Sequence, residues 1–243
     1  MILAIDIGNT ATHVGIFEQR RLASQFSIAT RQLKALAKTR KLHLTRASQI
    51  LICSVVPRMT TVLTRALRPL TPSPIRLIGR DLKVPLKNHY TYPKQVGQDR
   101  LVGAYAAWTR FKQDCIVADF GTAITIDLVT KNGAYLGGII APGLDISLEA
   151  LATRTALLPK VALKAPPELL GRETVNSIRA GVLFGCAALC DGLVGQLKRR
   201  YAPKAVVVAT GGASRLVCRY TRQIDHLRPN LVLEGLLEIS RNY

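Results

Sequence analysis

The sequence has few aromatic and few acidic residues, and each shortage argues against a class of function. Aromatic residues make up 5% of the 243 positions and do not alternate with basic ones, so a stacking surface for single-stranded nucleic acid is not supported. Lys and Arg number 34 against 15 Asp and Glu. This excess is compatible with an anionic ligand, but the dispersed positions of the basic residues favour a solvated basic surface. We do not expect nucleic acid as a partner.

Paired cysteines and long apolar runs are also missing. The five cysteines are scattered without a Cys-x-x-Cys pair, so we predict no zinc site and expect buried thiols in a reducing compartment. The longest apolar run, residues 180–195, is shorter than a membrane span and contains Asp191. The first residues lack the basic leader of a signal peptide. We therefore expect a soluble, cytoplasmic protein with no membrane partner.

Two short segments share a pattern of an aspartate, a glycine turn and a threonine. Residues 6–10 are Asp-Ile-Gly-Asn-Thr, and residues 119–125 are Asp-Phe-Gly-Thr-Ala-Ile-Thr. Each lies between apolar runs, which predicts a strand, a tight turn and a returning strand. A carboxylate there can reach a cation, and the glycine lets backbone N–H groups approach a phosphate. The pair predicts two related lobes that bind one phosphate chain.

The order of predicted elements indicates an α/β protein with two similar lobes, residues 1–112 and 113–243. The first lobe has predicted strands at 2–7, 12–17, 22–28, 49–56 and 75–78 and helices at 31–41, 60–67 and 99–111. The second has strands at 115–118, 123–129, 134–140 and 205–209 and helices near 147, at 174–201 and at 233–239. Three antiparallel strands followed by alternating helices and strands are characteristic of ribonuclease-H-like domains.

Further motifs complete a resemblance to a known family. They are Ser54-Val-Val-Pro57, Gly97-Gln-Asp-Arg100, Gly137-Gly-Ile-Ile-Ala-Pro-Gly143, Gly171-Arg-Glu-Thr174 and Thr210-Gly-Gly212. Together with the two Asp-Gly turns, they make the chain resemble, nearly end to end, the type III pantothenate kinases of the acetate-kinase, sugar-kinase, Hsp70 and actin superfamily. The resemblance implies two ribonuclease-H-like (actin-like ATPase) lobes, each a mixed sheet flanked by helices. It also implies ATP-dependent phosphorylation of pantothenate to 4′-phosphopantothenate, the first step of coenzyme A biosynthesis.

The resemblance assigns residues to ATP and its cations. The first phosphate-binding loop would be Asp6, Ile7, Gly8, Asn9, Thr10, Ala11, Thr12 and His13. In the second loop, Thr122 would bind ATP phosphate and Asp119 would hold a monovalent cation, K⁺ or NH₄⁺. Mg²⁺ would arrive with ATP and contact Asp6, and the Thr210-Gly-Gly212 turn would lie on the adenosine side. From the residues alone, His13 is better explained as a packed or solvent-facing strand residue.

The resemblance makes Asp99 the general base, which would take the proton from the pantothenate hydroxyl. Gly97, Gln98 and Arg100 would bind the same substrate, and the guanidinium fork of Arg100 suits its carboxylate. The alternative role of Asp99 is a cap at the N-terminus of the following helix. Gln98 departs from the alanine that is usual in the family, which indicates a more polar acceptor site or a side chain that turns outward.

Two further residues would complete the acceptor site. Tyr90 matches the family's substrate-contacting tyrosine, with Tyr92 as the nearby competitor. Thr174 matches a substrate-binding threonine that comes from the partner subunit, which implies a homodimer with shared active sites. Thr174 is also a candidate N-cap.

Two other functions remain open from the sequence. The basic first lobe is compatible with a non-catalytic regulatory factor of the same family that binds nucleic acid. Gln98 is compatible with a kinase for another small hydroxyl acceptor, or with a phosphatase on the same scaffold. The intact phosphate loops and the presence of Asp99 and Arg100 favour the pantothenate kinase.

Overall fold

The structure is a computed structural model that describes residues 1–36, 42 and 44–243. In chain order its strands and helices are β1 (Ile2–Ile7), β2 (Ala11–Glu18), β3 (Arg21–Ala29), α1 (Leu33–Leu36), β4 (Gln49–Ser54), α2 (Pro57–Leu67), β5 (Ile75–Leu77), β6 (Lys87–Asn88), α3 (Gln98–Phe111), β7 (Cys115–Phe120), β8 (Ala123–Val129), β9 (Ala134–Pro142), α4 (Leu144–Arg154), α5 (Thr174–Arg200), β10 (Val206–Thr210), α6 (Ser214–Val217), β11 (His226–Leu227) and α7 (Leu231–Ser240).

The chain divides into two compact units. Unit 1 comprises Met1–Arg110 and Leu231–Tyr243, and unit 2 comprises Phe111–Asn230. The sequence assigned residues 231–243 to the second lobe, whereas in the structure α7 packs against β1, β2 and β4 of unit 1. The apolar run of α7 predicted a helix but carried no signal for which sheet it covers. The boundary between residues 112 and 113 stays a prediction.

Unit 1 contains a mixed sheet in the order β3-β2-β1-β4-β5. β1, β2 and β3 are antiparallel neighbours, and β4 and β5 continue the sheet in parallel to β1. Because side chains alternate between faces along a strand, β1 contributes to two cores. Leu3 and Ile5 belong to the cluster that includes Leu63 of α2, while Ala4 belongs to the cluster that includes Leu236 of α7.

Unit 2 repeats this arrangement. Its strands follow the order β11-β10-β7-β8-β9, with β8 antiparallel to both β7 and β9, and with β10 parallel to β7. Ile116, Ala118 and Phe120 of β7 are fully buried in one cluster with Leu183 and Cys190 of α5. Each unit is therefore a mixed sheet flanked by helices, as the sequence predicted.

Most long elements lie where the sequence placed them, and the differences are local. Pro57 was expected only to stop β4, but it also occupies the first position of α2, where its missing N–H costs nothing and its fixed φ suits a helix. Of the helix predicted at 31–41, the structure has the short α1, and residues 37–41 lie outside the described residues. The two-residue strands β6 and β11 and the four-residue α6 were not predicted.

Helix α5 bears on the membrane expectation. Among the described residues it is the one helix long and apolar enough, by length and composition, to cross a membrane, so the shortness of the run 180–195 does not by itself exclude a span. Core helices of soluble proteins meet the same criterion, and Leu183, Ala187, Cys190 and Val194 of α5 are buried in the core of unit 2. The length and composition of α5 are therefore only weak evidence that the protein crosses a membrane.

The cysteines behave largely as the sequence predicted. All five are free thiols; four are buried and Cys218 is half-buried. Burial raises the pKa of Cys115 and Cys190 to about 12 and that of Cys186 to about 11. These thiols are neutral hydrophobic residues at physiological pH.

The raised thiol pKa values predict a loss of stability in alkali. The folded state holds these protons more tightly than the unfolded state, so their stabilisation is complete below the ordinary thiol pKa, about 9, and is lost as the pH rises from there towards about 12. We expect the free energy of unfolding in urea to fall by about 2 kcal/mol for each of these three thiols between pH 8 and 10.5, since one pKa unit corresponds to about 1.4 kcal/mol. Cys190→Ala, which removes one titrating group, should show a smaller fall; an equal fall would contradict this explanation.

Candidate active site

The first Asp-Gly loop is a tight turn between β1 and β2 fixed by backbone and threonine hydrogen bonds. The N–H of Gly8 donates to the carbonyl of Ala11 at 3.0 Å. The Thr30 hydroxyl donates to the carbonyl of Gly8 at 2.7 Å, and its N–H donates to the carbonyl of Thr10 at 2.9 Å. Asn9 and Thr10 are exposed at the tip. The loop therefore presents polar groups to solvent on a rigid backbone.

Two residues assigned to this loop, Ile7 and Thr12, are buried and hold its backbone in place. Ile7 and Thr12 are fully buried, and the hydroxyls of Thr12 and Thr30 lie 3.1 Å apart in hydrogen-bond contact. His13 is exposed on β2, yet the surrounding protein removes water from part of its ring, and this desolvation lowers the pKa of His13. The side chains of Ile7 and Thr12 can thus act on a ligand only by holding the loop.

Asp99 lies in the first turn of α3, whose first residue is Gln98. Its Oδ1 accepts a hydrogen bond from the N–H of Arg100 at 2.8 Å. A Cβ on Gly97 would overlap Asp99 Oδ1 and lie 3.5 Å from a methyl of Val55. Asp99 is therefore inside the helix rather than at its N-cap, and glycine at 97 leaves room for its carboxylate.

The buried thiol of Cys53 connects Asp99 with Asp6. Asp6 and Cys53 are register partners on the parallel strands β1 and β4, and the thiol hydrogen-bonds to the Asp6 carboxylate. Burial, followed by the charges of Asp6 and Asp99, raises the pKa of Cys53 well above its ordinary value. Both carboxylates thus act on one thiol at the carboxyl ends of parallel strands, where ligands bind in α/β folds.

Local contacts also fix the positions of Gln98 and Tyr90, the other residues of unit 1 that are predicted to bind pantothenate. Gly79, at a φ of +87°, leaves space for Gln98, whose side-chain carbon Cδ would lie 2.7 Å from a Cβ there. The N–H of Tyr90 donates to the side-chain oxygen of Asn88 at 3.0 Å. Tyr90 is half-buried and Tyr92 is 64% exposed. Gln98 therefore packs over Gly79, and Tyr90 is the less exposed of the two tyrosines.

In unit 2, Asp119 lies near the end of β7 beside two glycines. A Cβ on Gly211, which has a φ of +92°, would overlap Asp119 Oδ1 and approach the Phe120 backbone to 2.6 Å. A Cβ on Gly121 would lie 3.3 Å from the same oxygen. Thr122 is exposed at the turn between β7 and β8. The Thr210-Gly-Gly212 turn thus lies against Asp119, and its place on the adenosine side of ATP stays a prediction.

Thr174 is the first residue of α5 and is exposed, and Glu173 occupies the N-cap position without a side-chain hydrogen bond. The N-cap role for Thr174 is therefore wrong. Thr174 lines an open cavity of about 1150 Å³ between α4 and α5, whose other lining residues include Arg154, Arg172, Leu151 and Leu189. This cavity contains neither Asp119 nor Thr122.

The donor set of these loops fits oxygen-preferring cations. Within the part of the chain that the structure describes, no group of three or more His, Cys, Asp or Glu side chains could hold a metal ion. Mg²⁺ typically takes one or two protein carboxylates and completes its shell with substrate phosphates and water. Asp6 in unit 1 and Asp119 in unit 2 match that pattern, and neither matches a closed zinc site.

Sequence reasoning missed three residues around these loops: Cys53, Asp127 and Tyr135. Cys53 carried no signal beyond its place in an apolar strand. Asp127 is 1% exposed and accepts a hydrogen bond from Tyr135, which is fully buried. The signal for Asp127 was present, because it is the one charged residue in the apolar run of β8 and buried carboxylates concentrate at functional sites.

Comparison with known proteins decides the family. The type III pantothenate kinase family model matches residues 2–196. The type III pantothenate kinase of Syntrophus aciditrophicus is 37% identical over 246 residues, which cover 97% of both chains. The chain belongs to the type III pantothenate kinase family. This confirms the resemblance stated from the motifs.

Solved structures support the fold of this family member. A structure described as a Baf family transcriptional activator from Campylobacter jejuni has a TM-score of 0.64 at 18% identity, covering 99% of this chain and 98% of that one. A 2-dehydro-3-deoxygalactonokinase protein from Sinorhizobium meliloti has a TM-score of 0.58 at 12% identity, covering 100% and 99%. At such low identities these likenesses show the fold alone, the two-lobed actin-like fold of sugar kinases.

Proposed function

We propose that the protein transfers the γ-phosphoryl group of ATP to the primary hydroxyl of pantothenate, forming 4′-phosphopantothenate and ADP. Full-length family membership supports the reaction. The observation that supports it in the structure is the position of Asp6 beside Cys53 near the ends of β1 and β4, with Gly97, next to Asp99, packed against Val55 directly after β4. Asp6 of the first phosphate-binding loop and Asp99 thus lie at the same end of the unit 1 sheet. A regulatory factor that binds nucleic acid would not need two carboxylates at this end of the sheet, so this alternative is not favoured.

Asp99 acts as the general base in this proposal. The N–H of Arg100 holds Oδ1 and fixes the orientation of the carboxylate. As the pantothenate hydroxyl oxygen bonds to the γ-phosphorus, its proton passes to Asp99 and the bond to the ADP oxygen breaks. Phosphoryl transfer depends mainly on positioning and charge stabilisation, so an oriented carboxylate in the first turn of a rigid helix suits the task.

The other acceptor residues bind pantothenate in this proposal. The guanidinium of Arg100 pairs with the substrate carboxylate, and Gly97 and Gln98 shape the site beside it. Tyr90, half-buried above its hydrogen bond to Asn88, supplies an aromatic wall. Because the Gln98 side chain packs over Gly79, we expect Gln98 to leave pantothenate as the preferred acceptor.

ATP binds with a divalent metal, as in other kinases, and we propose the two loops as its phosphate sites. Residues 6–13 form the first loop and Thr122 belongs to the second. Asp6 would hold Mg²⁺ directly or through water, and Asp119 would hold a monovalent cation, K⁺ or NH₄⁺. When bound, these cations offset the negative charge of the phosphates. The exposed tips of both turns leave Thr10 and Thr122 accessible for phosphate contacts.

We also propose a cytoplasmic homodimer in which the partner subunit supplies Thr174. Thr174 is exposed at the start of α5, beside an open cavity with apolar residues. Leu157, Leu169 and Leu170 in the adjoining segments are 91%, 71% and 72% exposed. An apolar surface of this kind is typical of an interface between subunits.

A mixing experiment tests the shared site. If Asp99 and Thr174 act in one site across the interface, a heterodimer of Asp99→Asn and Thr174→Ala subunits has one intact site. Random pairing of equal amounts then restores about a quarter of wild-type activity, because half of the dimers are mixed and half of their sites are intact. Each variant alone should remain nearly inactive. No recovery after verified subunit exchange would contradict a shared site.

The proposed reaction is tested by ADP release with a panel of acceptors. Purified full-length protein with Mg²⁺, K⁺ and ATP should release ADP when pantothenate is added, and simple alcohols should not replace it. Arg100→Lys should raise the KM for pantothenate more than that for ATP, because a point charge replaces a bidentate fork. Equal activity with unrelated hydroxyl acceptors would instead support the broader kinase.

A further inference from the structure

A chain of three hydrogen-bonded side chains lies on the strands behind Asp119. The Tyr135 hydroxyl donates to Asp127 Oδ1 at 2.7 Å, and the Thr125 hydroxyl donates to Asp127 Oδ2 at 3.1 Å. Tyr135 and Asp127 are 0% and 1% exposed, and Thr125 is half-buried. Both carboxylate oxygens of a buried aspartate therefore accept hydrogen bonds from hydroxyl groups.

The strand register places this chain next to Asp119. Asp119 of β7 is the register partner of Thr125 of β8. Side chains directly opposite on antiparallel strands have Cβ atoms about 4.5–5.5 Å apart and share a face of the sheet. Ile124, Ile126 and Leu128 point to the opposite face, in the core of unit 2. Thr125 thus lies between the carboxylate of Asp119 and that of Asp127.

The direction of the Thr125 hydrogen bond determines what Thr125 can offer to a ligand. Its single hydroxyl proton is donated to Asp127, so its oxygen presents lone pairs elsewhere. Lone pairs beside the Asp119 carboxylate repel each other unless a positive charge lies between them. A hydroxyl oxygen and a carboxylate oxygen are ligands that suit alkali and alkaline-earth cations.

We propose that Thr125 is a ligand of the monovalent cation together with Asp119, and that Asp127 and Tyr135 are positioning residues that aim the lone pairs of Thr125 at it. This inference rests on the proposed cation role of Asp119. Keeping a buried carboxylate is costly unless it is well hydrogen-bonded, and this one holds the rotamer and the proton direction of a cation-facing hydroxyl. Such outer partners of ligands tune cation affinity.

The test measures K⁺ binding without turnover. Thermal unfolding of the full-length protein with Mg²⁺-ATP, without pantothenate, is followed as K⁺ replaces choline at constant ionic strength, since a bound ion stabilises the folded state. Thr125→Val should raise the K⁺ concentration for half-maximal stabilisation about tenfold or more, as for lost metal contacts. Thr125→Ser, which keeps the hydroxyl, should stay within about twofold of wild type, well below the cost of losing a contact.

The positioning residues have their own variants. Asp127→Asn replaces one of the two acceptor oxygens by an amide NH₂, so Thr125 and Tyr135 can no longer both donate to this side chain, and K⁺ binding should weaken. Tyr135→Phe removes one support of the carboxylate and should weaken it less. Tyr201→Phe, an exposed tyrosine of the same unit, is the matched control and should change nothing. If Thr125→Val does not fold, Tyr135→Phe and Asp127→Asn carry the test.

The outcomes separate this inference from the proposal on which it rests. If Asp119→Asn loses the K⁺ response and Thr125→Val keeps it at the wild-type concentration, the Thr125 chain only stabilises the sheet and the inference is wrong. If wild type shows no K⁺ response, or if Asp119→Asn keeps it, the cation site itself is wrong and the inference falls with it. Weakened K⁺ binding in Thr125→Val, with rescue in Thr125→Ser, supports both.

Discussion

Asp99→Asn should lower kcat for pantothenate phosphorylation by about 10²–10⁴-fold, the range for loss of a general base. Asparagine has the same shape, and its side-chain oxygen can still accept the N–H of Arg100, so the first turn of α3 should stay intact. The amide cannot accept the substrate proton. We expect the melting temperature and the ATP affinity to stay unchanged. Calorimetry measures these two quantities, and single-turnover kinetics measures the rate of the chemical step beside kcat.

Asp145→Asn is the matched control for this experiment. Asp145 also lies in the first turn of a helix, α4, and is exposed, so its replacement changes the same charge at an equivalent helical position. Its kcat should stay within about twofold of wild type, since surface substitutions of this kind are usually small in effect. The general-base assignment is contradicted if Asp99→Asn keeps more than about a tenth of wild-type kcat, because that loss lies below the range for general bases.

Gly211→Ala should destabilise unit 2 and damage the Asp119 site together. The backbone at 211 has a φ of +92°, and the added Cβ would overlap Asp119 Oδ1 and lie 2.6 Å from the carbonyl carbon of Phe120. Left-handed strain and overpacking together predict a loss of about 2–4 kcal/mol. Urea unfolding measures the loss, and the K⁺ response should weaken because Asp119 must move.

The adjacent glycine provides the control. A Cβ added at Gly212 would meet no other atom within 4 Å, so Gly212→Ala should keep the free energy of unfolding within about 0.5 kcal/mol of wild type, as for an open surface position. If both variants unfold at the same urea concentration as wild type, the close packing of Gly211 on Asp119 is wrong. If both are equally destabilised, the turn as a whole is sensitive and the specific contact is not supported.

The long elements could be predicted because their patterns are strong and local. β1, β4 and β7 each contain an unbroken apolar run of four residues (2–5, 50–53 and 115–118), and α5 has a long, mainly apolar middle within its 27 residues. The two-residue strands β6 and β11 have no periodicity from which to predict them. Pro57 shows how one residue both ends a strand and begins a helix, because its restricted φ is compatible with a first helical turn.

The candidate site could be predicted only in part, for a physical reason. Sequence motifs pointed to Asp6, Asp99 and Asp119, because each lies at the end of a strand or the start of a helix in a recognisable turn, and their roles stay predictions. Their surroundings depend on strand register and packing, which spacing does not show. The thiol of Cys53 beside Asp6 arises from the pairing of β1 with β4, and Thr125 faces Asp119 through the pairing of β7 with β8.

Product analysis determines whether the protein phosphorylates pantothenate. Full-length protein is incubated with Mg²⁺-ATP, K⁺ and pantothenate, and the products are identified by mass spectrometry in parallel with Asp99→Asn. We expect 4′-phosphopantothenate and ADP in equal amounts from the wild-type protein and almost none from the variant. Folded wild-type protein that forms no 4′-phosphopantothenate, or that hydrolyses ATP at the same rate with and without pantothenate, would contradict it.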